Sequence, residues 1–184
     1  MSALHTPVCD FGWPAPDFAL PDPAGKLWTL EDCRGSHATL VMFLSNHCPF
    51  VKASLQRIIG DLQDLATEGV AAVGIMSNDI SRYPDDGPEE MRRLASELAF
   101  PFPYLVDESQ QTASDYGAVC TPDFFGFNQD LELQYRGRLD AGRTEEPPAG
   151  SPRELLDAMR QIVRTGHGPQ EQTPSVGCSI KWKT

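Results

Sequence analysis

The chain has 184 residues, with 15 Lys plus Arg against 26 Asp plus Glu, a formal net charge of −11 and 40% hydrophobic residues. These values are typical of a soluble globular domain, and an acidic chain without a basic stripe argues against nucleic acid as a partner. No apolar run approaches the roughly 20 residues that cross a bilayer, which argues against a membrane partner.

The N-terminal stretch, Met1 to Asp10, lacks the basic and apolar regions of a signal peptide, so we expect a cytoplasmic protein. In a reducing compartment the cysteines are expected to be free thiols, and their spacing matches no zinc motif. The five cysteines are Cys9, Cys33, Cys48, Cys120 and Cys178. We expect no cofactor.

The first elements alternate between strand and helix. A short strand is predicted over residues 27–30, and an apolar run predicts a buried strand over 39–44. From Cys48 onward, apolar residues recur at helical spacing, and Gly69 ends that helix. The continuous apolar run 70–76 predicts a second buried strand, of the kind found in parallel sheets covered by helices.

The middle of the chain begins with an acidic loop over residues 78–88, whose carboxylates, Asp85 and Asp86 among them, are expected to face solvent. The elements predicted after this loop are a helix over 89–98, a short strand over 102–106 and a short helix over 109–116.

The last third of the chain predicts a hairpin and a final helix. Strands over 123–127 and 131–138 flank a polar turn, which is a hairpin signal. Ser151 is expected to cap the last helix, with Glu154 completing a capping box. Residues 166–184 show no periodicity and are expected to form an irregular C-terminal tail.

This order predicts an α/β protein of one domain over residues 1–184. A central mixed sheet is flanked by helices, with an N-terminal β extension and a C-terminal tail. It is the order of a thioredoxin-like fold.

Cys48 is the most informative residue, because it lies where a buried strand and a polar turn lead into a helix that starts at Pro49. The N–H groups and the dipole at a helix N-terminus favour an anion, so a thiolate is favoured there. A thiolate is the nucleophile of redox chemistry, whereas free cysteines are often only small buried hydrophobes. The redox interpretation predicts that Cys48 is accessible and lies beside residue 122.

Five segments carry further motifs: GWPAPDFAL at 12–20, NHCPFVK at 46–52, YPDD at 83–86, CTPDFF at 120–125 and PSVGCSIKWK at 174–183. With the element order, they resemble the thioredoxin superfamily and, more narrowly, AhpC/TSA-type redoxins of a bacterial peroxiredoxin-like subgroup. The resemblance extends over nearly the whole chain.

The resemblance implies a thiol oxidoreductase with Cys48 at the first cysteine of thioredoxin's Cys-x-x-Cys, which is also the peroxidatic position of peroxiredoxins. Three departures qualify it. Val51 stands at the second cysteine of thioredoxin, and Val41 replaces the proline of the peroxiredoxin motif, although Ser45 keeps its hydroxyl. Thr121 stands where peroxiredoxins place an arginine. These departures weaken the hypothesis of peroxide reduction relative to the hypothesis of disulfide exchange.

The resemblance also implies a cis peptide bond before Pro122, packed against the active thiol, with backbone left free for a peptide or thiol substrate. Cys120 would then lie close to Cys48, and Cys178 could reach back over the sheet. Either thiol could resolve an intermediate on Cys48, or could simply pack in the core.

His47 adjoins the thiol and leaves three alternatives open. As an imidazolium it would favour the Cys48 thiolate, as a neutral imidazole it could bind a metal, and otherwise it faces solvent in the turn. With the three candidate cysteines, Cys48, Cys120 and Cys178, it could form a soft copper or zinc site. A degenerate redoxin that binds partners without turnover is the remaining alternative.

The partners implied by the redox hypothesis are a disulfide or peroxide substrate and an external thiol reductant such as thioredoxin. The substrate, the resolving cysteine and the oligomeric state, including a homodimer, stay open. The predicted catalytic residues are Ser45, His47, Cys48, Cys120, Thr121, Pro122 and Cys178.

Overall fold

The computed structural model describes residues 3–184, so Met1 and Ser2 of the N-terminal stretch lie outside the described residues. In chain order the elements are β1 (Ala3–His5), β2 (Ala19–Pro21), β3 (Leu27–Thr29), β4 (Ala38–Phe43), α1 (Pro49–Ala66), β5 (Val70–Met76), α2 (Pro88–Glu97), β6 (Tyr104–Val106), α3 (Gln111–Tyr116), β7 (Cys120–Thr121), β8 (Asp123–Asn128), β9 (Leu133–Tyr135), α4 (Glu154–Thr165) and β10 (Val176–Ser179). Short 3₁₀ turns lie at Glu31–Cys33 and Pro84–Asp86.

The core is a five-stranded sheet in the order β6-β5-β4-β8-β9. β4 runs parallel to β5 and antiparallel to β8, which confirms the predicted mixed sheet. All six residues of β4 are buried, because both faces of the sheet are covered. Leu40 and Met42 pack with α1, α2 and α4 on one face, whereas Val41 and Phe43 pack with α3 and the β2–β3 hairpin on the other. This alternation is the period of two that a strand imposes.

α1 begins where the chain leaves the carboxyl end of β4 and passes through a short turn. Cys48 is its N-cap, with φ −70° and ψ 122°, and Pro49 occupies the first turn, where a missing N–H costs no hydrogen bond. Gly69, with φ +81°, follows the helix and takes a conformation that favours glycine. None of the helices within residues 3–184 combines the length and apolar character that a membrane crossing needs.

The predicted capping box at the start of the last helix is wrong. α4 begins at Glu154, and the Ser151 hydroxyl instead donates to the Pro148 carbonyl at 2.6 Å. The Glu154 carboxylate accepts from the Arg138 guanidinium at 2.7 Å. The local pattern assigned the Glu154 carboxylate to the helix cap, but in the structure this carboxylate binds Arg138, which lies outside the helix.

The prediction that residues 166–184 form an irregular tail is wrong in part, because this segment contains β10. β10 pairs antiparallel with β7 on one edge and with β1 on the other, forming a three-stranded sheet. The pairing requires a glycine, since a Cβ on Gly177 would lie 2.0 Å from the Thr121 carbonyl oxygen. Order in this segment comes from remote strands, which local periodicity cannot reveal.

Backbone hydrogen bonds also hold the residues after β10. The Ile180 N–H donates to the Val119 carbonyl at 3.2 Å, and the Lys181 N–H donates to the Asn78 side chain at 2.8 Å. The Lys183 N–H donates to the Gln110 side chain at 2.8 Å. The end of the chain is thus fixed against the loops that follow the central strands.

Candidate active site

Cys48 lies where the sequence predicts, at a helix start and next to residue 122. The Thr121–Pro122 peptide bond is cis, which confirms that prediction. The Cys48 thiol donates a hydrogen bond to the Thr121 carbonyl oxygen at 3.1 Å. Thr121 therefore meets the thiol through its backbone.

The prediction that Cys48 is accessible is wrong, because its relative exposure is 0%. The segment that encloses it includes β10, in which Cys178 pairs with Thr121 across the β7–β10 ladder. The Thr121 carbonyl, which accepts the hydrogen bond from the Cys48 thiol, thus belongs to β7, the strand that pairs with β10. Cys178 of this added strand packs with Cys48 in one buried cluster.

Cys178 is the cysteine that packs with Cys48 in one buried cluster, and it lies opposite Thr121, whose carbonyl accepts the Cys48 thiol. Burial, with the neighbouring Cys48 thiol second, raises the pKa of Cys178 to about 12. The Phe50 N–H, in the first turn of α1, points to the Cys178 sulfur and opposes this shift. The start of α1 therefore lies against both sulfurs.

Cys120 is buried in a different environment. Its thiol is 3.7 Å from the Pro122 carbonyl oxygen, and burial, with the Asp123 carboxylate second, raises its pKa far above the ordinary value. Burial likewise raises the pKa of Cys9 and of Cys33 to about 11. All five cysteines are free thiols in this structure.

The turn before Cys48 is built around Asp86, and the prediction that this carboxylate faces solvent is wrong. Asp86 has 0% exposure. Its carboxylate accepts from Ser45 Oγ at 3.1 Å, Asn46 N at 2.7 Å, His47 Nδ1 at 2.5 Å, His47 N at 3.3 Å and Asn78 Nδ2 at 2.8 Å. The YPDD motif at 83–86 carried the signal that this loop has a specific role.

His47 does not face solvent in the turn. Its side chain is 13% exposed, and its ring stacks on Tyr83 with centroids 5.2 Å apart and planes 8° apart. Nδ1 binds Asp86, while Nε2 is buried without a hydrogen-bond partner among residues 3–184. The Ser45 hydroxyl also binds Asp86, so Ser45 shapes the turn that carries Cys48.

The strand after the cis peptide bond, β8, begins with a buried ion pair that the sequence patterns did not indicate. Asp123 follows Pro122 and accepts from Arg136 at 3.1 Å and from the Val119 N–H at 3.2 Å. Burial raises the pKa of Asp123, and the Arg136 charge opposes that shift. This pair fixes the backbone on which both Cys48 and β10 rest.

The geometry does not support the metal-site alternative built on His47, Cys48, Cys120 and Cys178. In the described part of the chain, no three His, Cys, Asp or Glu side chains are grouped so that they could hold an ion.

Comparisons with known proteins agree with this architecture. The model of the AhpC/TSA family matches residues 11–136. An uncharacterized protein from Geobacillus kaustophilus is 43% identical, with a TM-score of 0.91 over 100% of this chain and 97% of that one. A hypothetical protein from Sinorhizobium meliloti is 36% identical, with a TM-score of 0.91 over 100% of both chains.

More distant structures show the fold alone. A putative thioredoxin from Neisseria meningitidis is 21% identical, with a TM-score of 0.62 over 82% of this chain and 90% of that one. No curated protein matches the chain. The predicted thioredoxin-like fold is confirmed.

Proposed function

The chain belongs to the AhpC/TSA family, and we propose that it is a thiol-disulfide oxidoreductase in which Cys48 is the nucleophile and Cys178 the resolving thiol. The observation that carries this proposal is the contact between the two thiols at the start of α1, beside the cis peptide bond. A helix N-terminus favours the thiolate that such chemistry needs.

The reaction proceeds by two thiol–disulfide exchanges. The Cys48 thiolate attacks one sulfur of a substrate disulfide, the substrate S–S bond breaks, and the first substrate thiol leaves. Cys178 then attacks the Cys48 sulfur, which releases the second substrate thiol and leaves a Cys48–Cys178 disulfide. The substrate gains two electrons, and an external dithiol of the thioredoxin type returns them to the protein.

Cys178 fits the resolving role better than Cys120 does. Cys178 touches Cys48, whereas the Cys120 thiol is directed to the Pro122 carbonyl. One cause of the raised Cys178 pKa is the neighbouring Cys48 thiol, and that cause disappears once Cys48 is bound in a mixed disulfide. The Phe50 N–H then remains to support a Cys178 thiolate.

Substrate access requires β10 to separate from β7, because Cys48 is fully enclosed when the two strands are paired. The β7–β10 ladder is short, with only Cys178–Thr121 and Ser179–Cys120 in register. Regions with few backbone hydrogen bonds and few buried contacts open at a lower free energy than core strands. Separation of β10 from β7 would expose both thiols together.

Peroxide reduction by the same pair of thiols is the second candidate. The enclosure of Cys48 favours it, because a small hydroperoxide needs a smaller opening than a polypeptide disulfide. Cys48 would attack the terminal oxygen, release the alcohol or water and form a sulfenic acid, which Cys178 would condense to the disulfide with loss of water.

Oxidised glutathione tests the proposal with four proteins. The wild type is expected to release two glutathione thiols per chain and to end as the Cys48–Cys178 disulfide. The Cys178→Ser variant is expected to stop at a glutathione adduct on Cys48, and Cys48→Ser is expected to be inert. Cys120→Ser is the matched control and is expected to behave as wild type.

A Cys48→Ser variant that reacts as fast as wild type would contradict the proposal. A wild type that neither exchanges with glutathione nor consumes peroxide faster than Cys48→Ser would favour the degenerate, non-catalytic redoxin. We also propose a cytoplasmic location, which suits a thiol pair that needs an external reductant. Cell fractionation with an antibody against the chain tests that location.

A further inference from the structure

The groups around the Asp86 carboxylate are all hydrogen-bond donors. They are the Ser45 hydroxyl, the Asn46 and His47 backbone N–H groups, the Asn78 side-chain amide and the His47 ring. An ionised carboxylate only accepts, so this arrangement requires the proton of the His47–Asp86 bond to lie on Nδ1. In a neutral imidazole that proton leaves Nε2 with its lone pair free.

Contacts with Asp86, Ser45 and Tyr83 fix the orientation of the His47 ring. Nδ1 is 2.5 Å from Asp86 Oδ2, and the ring stacks on Tyr83 at a centroid distance of 5.2 Å. Nε2 is buried without a hydrogen-bond partner among the described residues. Buried polar atoms are nearly always hydrogen-bonded, so an oriented nitrogen without a partner indicates a role in binding or proton transfer.

The same carboxylate also sets the position of the nucleophile. Asp86 accepts the backbone N–H groups of Asn46 and His47, the two residues that precede Cys48. One buried side chain thus holds both the turn and the imidazole. An activated nucleophile generally has a base within hydrogen-bond reach and a third group that orients the base. Nε2 has no hydrogen-bond partner among the described residues while β10 is paired, so its contact with Cys48 is one that the open form has to make.

We infer that Asp86 is a positioning residue that holds His47 with Nε2 unprotonated, so that His47 carries the proton of Cys48 during exchange. The inference rests on the proposed function. In the closed structure the Cys48 thiol donates to the Thr121 carbonyl, so the transfer follows the separation of β10.

The proton is conserved through the step. Cys48 gives its proton to Nε2, and the resulting imidazolium is stabilised by the Asp86 charge. The Cys48 thiolate attacks the substrate disulfide, an S–S bond forms as another breaks, and the imidazolium protonates the departing thiolate. The balance is one thiol and one disulfide converted into one mixed disulfide and one thiol.

His47→Asn tests the role of Nε2. The asparagine side-chain amide can still donate to Asp86, but it places no base at the position of Nε2. We expect the rate constant for exchange with oxidised glutathione to fall on the order of 10²-fold, because general acid–base groups contribute at least that much. The final disulfide is expected to be unchanged.

A double-mutant cycle separates positioning from a merely structural role. Asp86→Asn removes the charge at nearly constant volume, and Asp85→Asn, at an exposed neighbour, is the matched control that is expected to leave the rate unchanged. If Asp86 acts through His47, the double variant is no slower than the slower single variant. If the rate effects of the two single substitutions multiply in the double variant, the inference is overturned.

Nitrogen NMR of His47 provides a readout that does not depend on turnover. Wild type is expected to show a proton on Nδ1 and none on Nε2, and Asp86→Asn is expected to lose that preference. A wild-type ring protonated on Nε2 alone would overturn the inference, as would a His47→Asn variant that reacts at the wild-type rate. A wild type inert to glutathione would instead overturn the proposed function, and the inference with it.

Discussion

Two regions enclose Cys48, and they are held in different ways. The turn over residues 45–47 is tied to one buried carboxylate, Asp86, by side-chain and backbone donors. β10 is held mainly by backbone pairing, with two residue pairs to β7 and three to β1. The comparison indicates that the turn positions the thiol, whereas β10 is the region that can separate.

The cost of disrupting each region follows from these contacts. Removing the Asp86 carboxylate leaves several buried donors unpaired at once, and each unpaired donor is costly. Separating β10 exposes backbone groups to water, which can replace their partners. The turn should therefore be the more costly region to break.

The largest effect is expected from Asp86→Ala. A buried donor left without its partner costs about 1–3 kcal/mol, and this substitution leaves several such donors, so we expect a loss of about 3–5 kcal/mol in the free energy of unfolding. Urea denaturation measures it. Asp85→Ala is the control, because Asp85 is exposed and Asn46 binds only its backbone carbonyl, so a change within about 0.5 kcal/mol is expected. A loss below about 1 kcal/mol for Asp86→Ala would contradict this account of the turn.

A smaller effect is expected from Gly177→Ala, which sharpens the comparison at β10. The added Cβ would lie 2.0 Å from the Thr121 carbonyl oxygen, so the strands must move apart. Overpacking of this kind costs about 1–3 kcal/mol, which corresponds to roughly 5- to 150-fold faster alkylation of Cys48 by iodoacetamide. Mass spectrometry of the Cys48 peptide measures the rate.

Gly60→Ala is the matched control for that substitution. Gly60 lies within α1, and a Cβ there would meet nothing within 4 Å. Replacing a helical glycine by alanine stabilises by about 0.5–1 kcal/mol, and Cys48 alkylation should not accelerate. Equal alkylation of both variants would show that β10 does not control access.

The smallest effect is expected from pH. The ordinary thiol pKa is 9.0, and the folded protein raises that of Cys178 to about 12. Below pH 9 the Cys178 thiol keeps its proton in both the folded and the unfolded protein. Between pH 9 and pH 12 the unfolded chain loses this proton first, so the free energy of unfolding falls as the pH rises. Wild type should therefore lose more stability than Cys178→Ser between pH 8 and pH 10 in urea denaturation. Equal losses would mean that Cys178 is not held as a buried thiol.

Much of the central sheet could be predicted from the sequence because its signals are local. The apolar run 70–76 coincides with β5, and the helical spacing after Cys48 gave α1 to within a few residues. Cys48 was placed correctly at a helix start because Pro49 and the preceding turn mark that position.

The remaining features depend on contacts between residues far apart in the chain. Asp86 looks like part of a solvated acidic loop until the fold brings it to Ser45 and His47, about 40 positions earlier. β10 is short and contains Gly177 and Cys178, so neither its composition nor its period indicates a strand. Cys178 of that missed strand packs with Cys48 in one buried cluster.

Disulfide mapping of the oxidised wild type tests the central claim most directly. The protein is treated with one equivalent of oxidised glutathione, its remaining thiols are blocked, and the digest is examined by mass spectrometry. The account predicts a linked peptide pair that joins Cys48 to Cys178, with Cys120 recovered in its blocked form. A link from Cys48 to Cys120, or a Cys48 recovered unmodified, would contradict it.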